Sequence, residues 1–146
     1  MGLPQVVAPG ALDMVNFGAP DTIPRRFEGR RFYWHAPDVT LMRTSPRENA
    51  ELGRLIAERL NEARGPVAFI LPLQGFSALS REGEPFQNRL ADESFATALK
   101  AHLDPRIPCL TVDANMNDPI VGETAARTLI ELMTRTDSRV PAARLS

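Results

Sequence analysis

Residues Val67–Leu73 read Val-Ala-Phe-Ile-Leu-Pro-Leu, an apolar run of strand length with no polar alternation. Such a run suits a strand covered on both faces, the usual situation in a parallel sheet with helices above and below. The segment just before it is a strong helix. Ser45 can cap, Pro46 occupies the first helical position, and Glu48 completes a capping box. Leu52, Leu55, Ile56, Leu60 and Ala63 then form one apolar stripe. Gly65-Pro66 reads as a left-handed helix terminus followed by a breaker.

The rest of the chain repeats this alternation. Gln5–Ala8 is a short strand, and Pro9–Gly18 reads as a binding loop rising from it. Ala19–Pro37 is proline-rich without helical period and reads as a long ordered loop. Within it Arg25–His35 mixes four arginines with four aromatic residues. Such a mixture suits either single-stranded nucleic acid, by phosphate neutralisation and stacking, or an amphipathic strand with its aromatics on the core. Gln74–Leu90 is a glycine-containing loop, and a second helix runs from about Asp92 to Leu103 with Phe95, Ala98, Leu99 and Leu103 on one face. Ile107–Val112 is a further strand whose Pro108 suits an edge or entry position. After the polar loop Asp113–Asp118, Pro119 opens a third helix, with Val121, Ala125, Thr128, Leu129 and Leu132 facing inward. The pattern predicts an α/β fold: a mainly parallel sheet flanked by helices, a Rossmann-like three-layer lobe over residues 1–135 with a flexible tail at 136–146.

In such sheets ligands gather beyond the carboxyl ends of the strands. Three loops qualify, Pro9–Gly18, Gln74–Arg81 and Asp113–Asp118. Lys100 is the only lysine and sits mid-helix, so a Walker-type phosphate loop is excluded. Phosphate binding would then rest on helix-start amides and arginine, with Arg43 placed just before the Ser45 cap as the expected anion anchor. Gly75 and Ser77 can present amides and a hydroxyl, or Gly75 can simply serve a turn that needs positive φ. Asp113–Asp118 fails as a calcium loop, since position six is Asp118 and position twelve is Thr124. It reads instead as a capped turn, or as carboxylates and amides offered to a sugar hydroxyl or a neighbouring lobe. Two histidines and one cysteine, widely spaced, do not match a zinc site, and Ser77 lacks the Gly-x-Ser-x-Gly elbow of a serine hydrolase.

The net charge of −1 gives no global attraction to nucleic acid or an anionic membrane. Cys109 lies in an apolar run with no activating neighbour and reads as an inert, buried thiol. Without a signal peptide or an apolar stretch near 18 residues, a cytoplasmic location is expected.

The opening run Leu3–Gly18 closely resembles the start of the C-terminal region of the Tm-1-like ATP-binding (UPF0261) family. The resemblance continues through Gly29-Arg30, Tyr33, His35, Pro37 and Val39–Thr44, resumes at Leu71-Pro72-Leu73 with Gly75 and Ser77, and returns at Val112-Asp113-Ala114 with Asn117-Asp118-Pro119. It covers about positions 3 to 133. The chain departs from the family pattern at Asn115, where histidine is usual, and at Ala36, where asparagine is usual. The resemblance implies a C-terminal lobe without its N-terminal half, and ATP, with Mg, bound by the complete protein. The expected role is a ligand-binding or regulatory lobe completing a cleft with that nucleotide-binding half, lined on this side by Asp13, Asn16, Arg43, Gly75, Ser77, Asp113 and Asn117. The alternatives are an enzyme lobe for a small phosphorylated or carboxylated metabolite, with Asp13 or Asp113 as base, and a protein-interaction module whose exposed apolar face would support a homo-oligomer.

Overall fold

A computed structural model of the chain describes residues 2–137, the last three as backbone alone. Its parallel sheet has the order β1 (Gln5–Val7), β5 (Val67–Pro72), β6 (Cys109–Val112), with Val6 opposite Ala68 and Ile70 opposite Leu110. Every residue of β5 is buried, as its unbroken apolar run predicts. Val67, Phe69 and Leu71 point to one face and pack with Ala57 and Leu60 of α1 (Pro46–Asn61) and Phe95 and Leu99 of α2 (Arg89–His102). Ile70 points to the other face and packs with Val121 of α3 (Pro119–Asp137), Ala114 and the half-buried Val6. The strand period of two thus builds the helix–sheet–helix layers from one sequence run. No described helix is long and apolar enough to cross a membrane.

A second sheet, antiparallel, stands between β1 and α1. Its order is β2 (Met14–Phe17), β4 (Val39–Arg43), β3 (Phe32–Ala36), with Met14 opposite Arg43 and Phe32 opposite Met42. The expectation of a loop over Pro9–Gly18 is therefore corrected: only its first part is a loop. Four residues flanked by Gly10 and Gly18 carry little strand signal of their own, and pairing with the buried β4 supplies it. Likewise the passage Ala19–Pro37 contains a strand, β3, and two single turns of 3-10 helix at Pro20–Thr22 and Arg25–Phe27. The aromatics of this passage largely serve packing, with Phe17 between Phe27 and Phe32 and Tyr33 edge-on to Phe86, although Trp34 stays exposed.

Three helix details differ from expectation. The capping box of α1 is present, with Ser45 Oγ accepting from Glu48 N–H and Glu48 accepting from Ser45 N–H. The helix nevertheless stops at Asn61 with Glu62 in right-handed conformation, before Gly65. Gly65 is needed for close approach instead: a Cβ there would lie 2.5 Å from the Gly2 backbone. Leu55 is exposed, because the face of α1 that meets α2 is centred on Gly53, Ala57 and Leu60. Finally, α2 begins at Arg89, since Asn88 accepts from Ala91 N–H and caps it earlier than the apolar spacing suggests. Of the expected tail at 136–146, residues 136 and 137 belong to α3 and the remainder lies outside the described residues.

Candidate functional site at the strand ends

The loops after β1, β5 and β6 meet beyond the carboxyl ends of their strands and are tied to one another by hydrogen bonds. Ala11 N–H donates to Phe76 C=O at 2.9 Å, and Met116 N–H donates to Gly75 C=O at 3.0 Å. Asn115 donates from Nδ2 to the carbonyls of both Gln74 and Ser77, each at 2.8 Å. Its Oδ1 accepts from Asn117 N–H, and its own N–H donates to Asp118 Oδ2. The block after β6 is thus a capped turn, and Asn115 is the side chain that fastens it to the loop after β5.

Asp13 lies at the centre of this arrangement and is fully buried. Its Oδ2 accepts from Ser77 Oγ at 2.5 Å, while its Oδ1 has no hydrogen-bonding partner among the described residues. A buried carboxylate oxygen without a donor is costly, so it marks either a strained structural tie or a position that receives a donor. The backbone leading to it is itself strained. Ala11 has φ of 58°, a left-handed conformation that a residue with a Cβ adopts at a cost of about 1–3 kcal/mol. Gly75 has φ of 101°, and a Cβ there would sit 2.5 Å from Ser80 Oγ, so its turn requires glycine. Ser80 Oγ in turn accepts from the amides of Phe76 and Ser77 and holds the loop after β5 in shape.

Arg43 stands beside this centre and has a structural role. Nε donates to Phe86 C=O, Nη1 to Asp13 C=O and Thr44 Oγ1, and Nη2 to Asn88 C=O and Asp92 Oδ1. All of its N–H donors are engaged by the protein, which leaves none of them free for the anion expected at Arg43. The side chain bolts the antiparallel sheet to the start of α2. Burial pushes the Asp92 carboxyl upward against the opposing pull of Arg43, while the 2.6 Å contact keeps the two groups paired.

The other candidates separate. Gln74 Nε2 holds Asp113 Oδ1 at 2.6 Å on the exposed rim of a cleft of about 290 Å³ between β5 and α2. Glu82, Asp92 and Glu93 share that cleft, so its charge is largely acidic. Asn117 is exposed at the turn, and Asn16 is exposed on β2, paired with Leu41 on the other sheet. The structure therefore gathers Asp13, Gly75 and Ser77 directly, reaches Asn117 through Asn115, and leaves Asn16 apart. Sequence reasoning missed Ser80 and Asp92, and noted Asn115 only as a departure from a pattern. The three-residue spacing from Ser77 to Ser80 was the available signal for the first. Cys109 is half-buried with its thiol pushed up by burial, in keeping with an inert cysteine.

The described residues do not fit a triphosphate–magnesium group. Arg43 is committed, Arg81 is paired with Asp118 and Arg89 with Glu93, and no described cluster of three His, Cys, Asp or Glu side chains could hold a metal ion.

The chain matches the family described as "Uncharacterised protein family (UPF0261) C-terminal domain" over residues 1–133. A UPF0261 protein of Clostridium tetani is 43% identical over 134 residues, covering 91% of this chain and 33% of the relative. One from Rhizobium meliloti is 45% identical over 125 residues, covering 84% of this chain and 31% of the relative. The tomato ToMV resistance protein Tm-1(GCR237) is 40% identical over 107 residues, covering 73% of this chain and 14% of that protein. The chain thus spans about a third of the length of the bacterial relatives it matches. With a family match across nearly its whole length and an α/β architecture to go with it, the chain belongs to the UPF0261 family, as a C-terminal domain.

Proposed function

We propose that this domain is the ligand-orienting lobe of a larger protein, closing a cleft whose nucleotide contacts are supplied by the rest of the family's chain. The observation that carries the reading is the buried Asp13–Ser77 pair, with Asp13 Oδ1 unpartnered, where three strand-end loops are fastened together. Strand-end loops fixed in this way can position a ligand with little loss of conformational freedom on binding. A buried carboxylate oxygen that lacks a donor suits a hydroxyl or ammonium group of a small metabolite, which donates a hydrogen bond, better than a phosphate. ATP with Mg enters this reading through the complete protein.

Calorimetric titration of ATP·Mg into this chain and into the complete Clostridium tetani relative tests it. Saturable binding by the relative and none by the folded chain is the expected result. Binding by the chain alone, or by neither protein, overturns the assignment. The short Ser77–Asp13 contact also favours a second reading, an enzyme in which Asp13 serves as a base. A pH–rate profile shifted by Asp13→Asn would support that reading, and unchanged turnover would sink it.

A further inference from the structure

The helices of this domain are divided between the two faces of the parallel sheet in a way that points to its missing neighbour. From β1 the chain reaches β5 through α1, and from β5 it reaches β6 through α2. Both helices cover the face of Val67, Phe69 and Leu71, and both steps advance the sheet in one direction. After β6 the chain crosses to the opposite face, where α3 lies over β5 and β1. Crossover connections are right-handed in nearly all proteins, so helices on that second face accompany strands added in the other direction, beyond β1. In the described residues β1 is the edge on that side.

The edge has the backbone geometry to accept a strand. Gln5 N–H donates to Pro66 C=O, toward β5, so strand alternation turns the N–H and C=O of Val6 away from β5. Beside it, α3 carries a second apolar stripe facing outward at Ala126, Ile130 and Met133, with Ile130 64% exposed and Met133 53%. Helical spacing places these three on one side, away from Val121 and Leu132. An open parallel edge next to an apolar helix face is the surface that one further strand-and-helix unit would cover.

We infer that the free edge of β1 and the Ala126/Ile130/Met133 face of α3 together seat a parallel strand and its helix from the part of the UPF0261 chain outside these 146 residues. The occupant follows from length, since this chain spans 33% of the Clostridium tetani relative and 31% of the Rhizobium meliloti one. The inference rests on the reading of this domain as one lobe of a larger protein. It makes β1 the point where strand connections diverge to opposite faces, the usual place for a ligand crevice in open α/β sheets. Asp13, just beyond the carboxyl end of β1, then borders that crevice, and the added strand supplies its second wall.

Amide hydrogen exchange on this chain and on the complete Clostridium tetani relative decides it. The Val6 amide should exchange freely here, and the aligned amide in the relative should be slower by on the order of a hundredfold. Val6→Pro should melt no lower than Val6→Ala in this chain, because beyond the Val6 packing that both variants lose, the lost N–H faces the free edge. Proline at the aligned position should lower the melting temperature of the relative by roughly 5 °C or more. Equally fast exchange in both proteins overturns the inference. So does a concentration-dependent dimer of this chain that protects Val6 and is lost in Val6→Pro or Ile130→Glu, since a second copy would then be the occupant. A relative that fails to bind ATP·Mg leaves the exchange result intact, so the two proposals fail separately.

Discussion

Ser77 Oγ lies 2.5 Å from Asp13 Oδ2 across 64 residues of sequence, joining the loop after β5 to the loop after β1 in the buried centre of the strand-end cluster. Removing the hydroxyl leaves both carboxylate oxygens of Asp13 without a side-chain donor. Ser77→Ala should therefore cost about 1–3 kcal/mol in urea unfolding. A double variant, Ser77→Ala with Asp13→Leu, should cost less than the sum of the single changes. Additive losses would show that the two residues act independently.

Arg43 should behave as a bolt. Arg43→Ala strips the buried Asp92 of its partner and releases the Phe86 and Asn88 carbonyls, for an expected loss of about 3–5 kcal/mol. Arg43→Lys should rescue little, because an ammonium cannot reproduce the planar fork. If Arg43→Ala retained full stability while ligand binding fell, Arg43 would be a binding residue after all.

Gly53 inverts the usual helix rule. Glycine within a helix is ordinarily worse than alanine by up to about 1 kcal/mol. Here a Cβ would lie 2.4 Å from the Phe95 carbonyl oxygen and 3.0 Å from Leu99 N, where α1 crosses α2. Gly53→Ala should thus lower the melting temperature; a rise would mean that the helices separate easily.

Arg30 grips Glu48 through two hydrogen bonds, of 3.1 and 2.6 Å, and holds its carboxyl well down, at about 2 against an ordinary value of 4.5. A carboxylate with a lowered folded-state pKa stabilises the fold above its ordinary value, and that contribution is lost as pH falls from 4.5 toward 2. Glu48 is 40% exposed, so the contribution is screened and should stay below about 1 kcal/mol. Glu48→Gln should destabilise the protein near neutral pH and converge with wild type at low pH. A gap that persists below pH 2 would point to the capping contacts instead.

The sequence by itself determined the α/β character of the parallel layer and where loops leave the ends of its strands. The β5 run is apolar throughout, the Ser45–Glu48 box is a local hydrogen-bond pattern, and Pro119 marks a helix start, so each signal lies within a few neighbouring residues. Asp13, Gly75 and Ser77 were legible for the same reason, as polar and glycine positions just past apolar strands. The tertiary structure alone decided what depends on distant partners. β2 exists because Met14–Phe17 pairs with Arg43–Thr40, and Leu55 is exposed because Gly53 lets α2 approach on another side. Arg43 became a buried strut because carbonyls from residues 86 and 88 converge on it. Spacing along a chain records which side chains share a face, while the identity of the group opposite is set by contacts between segments far apart in sequence.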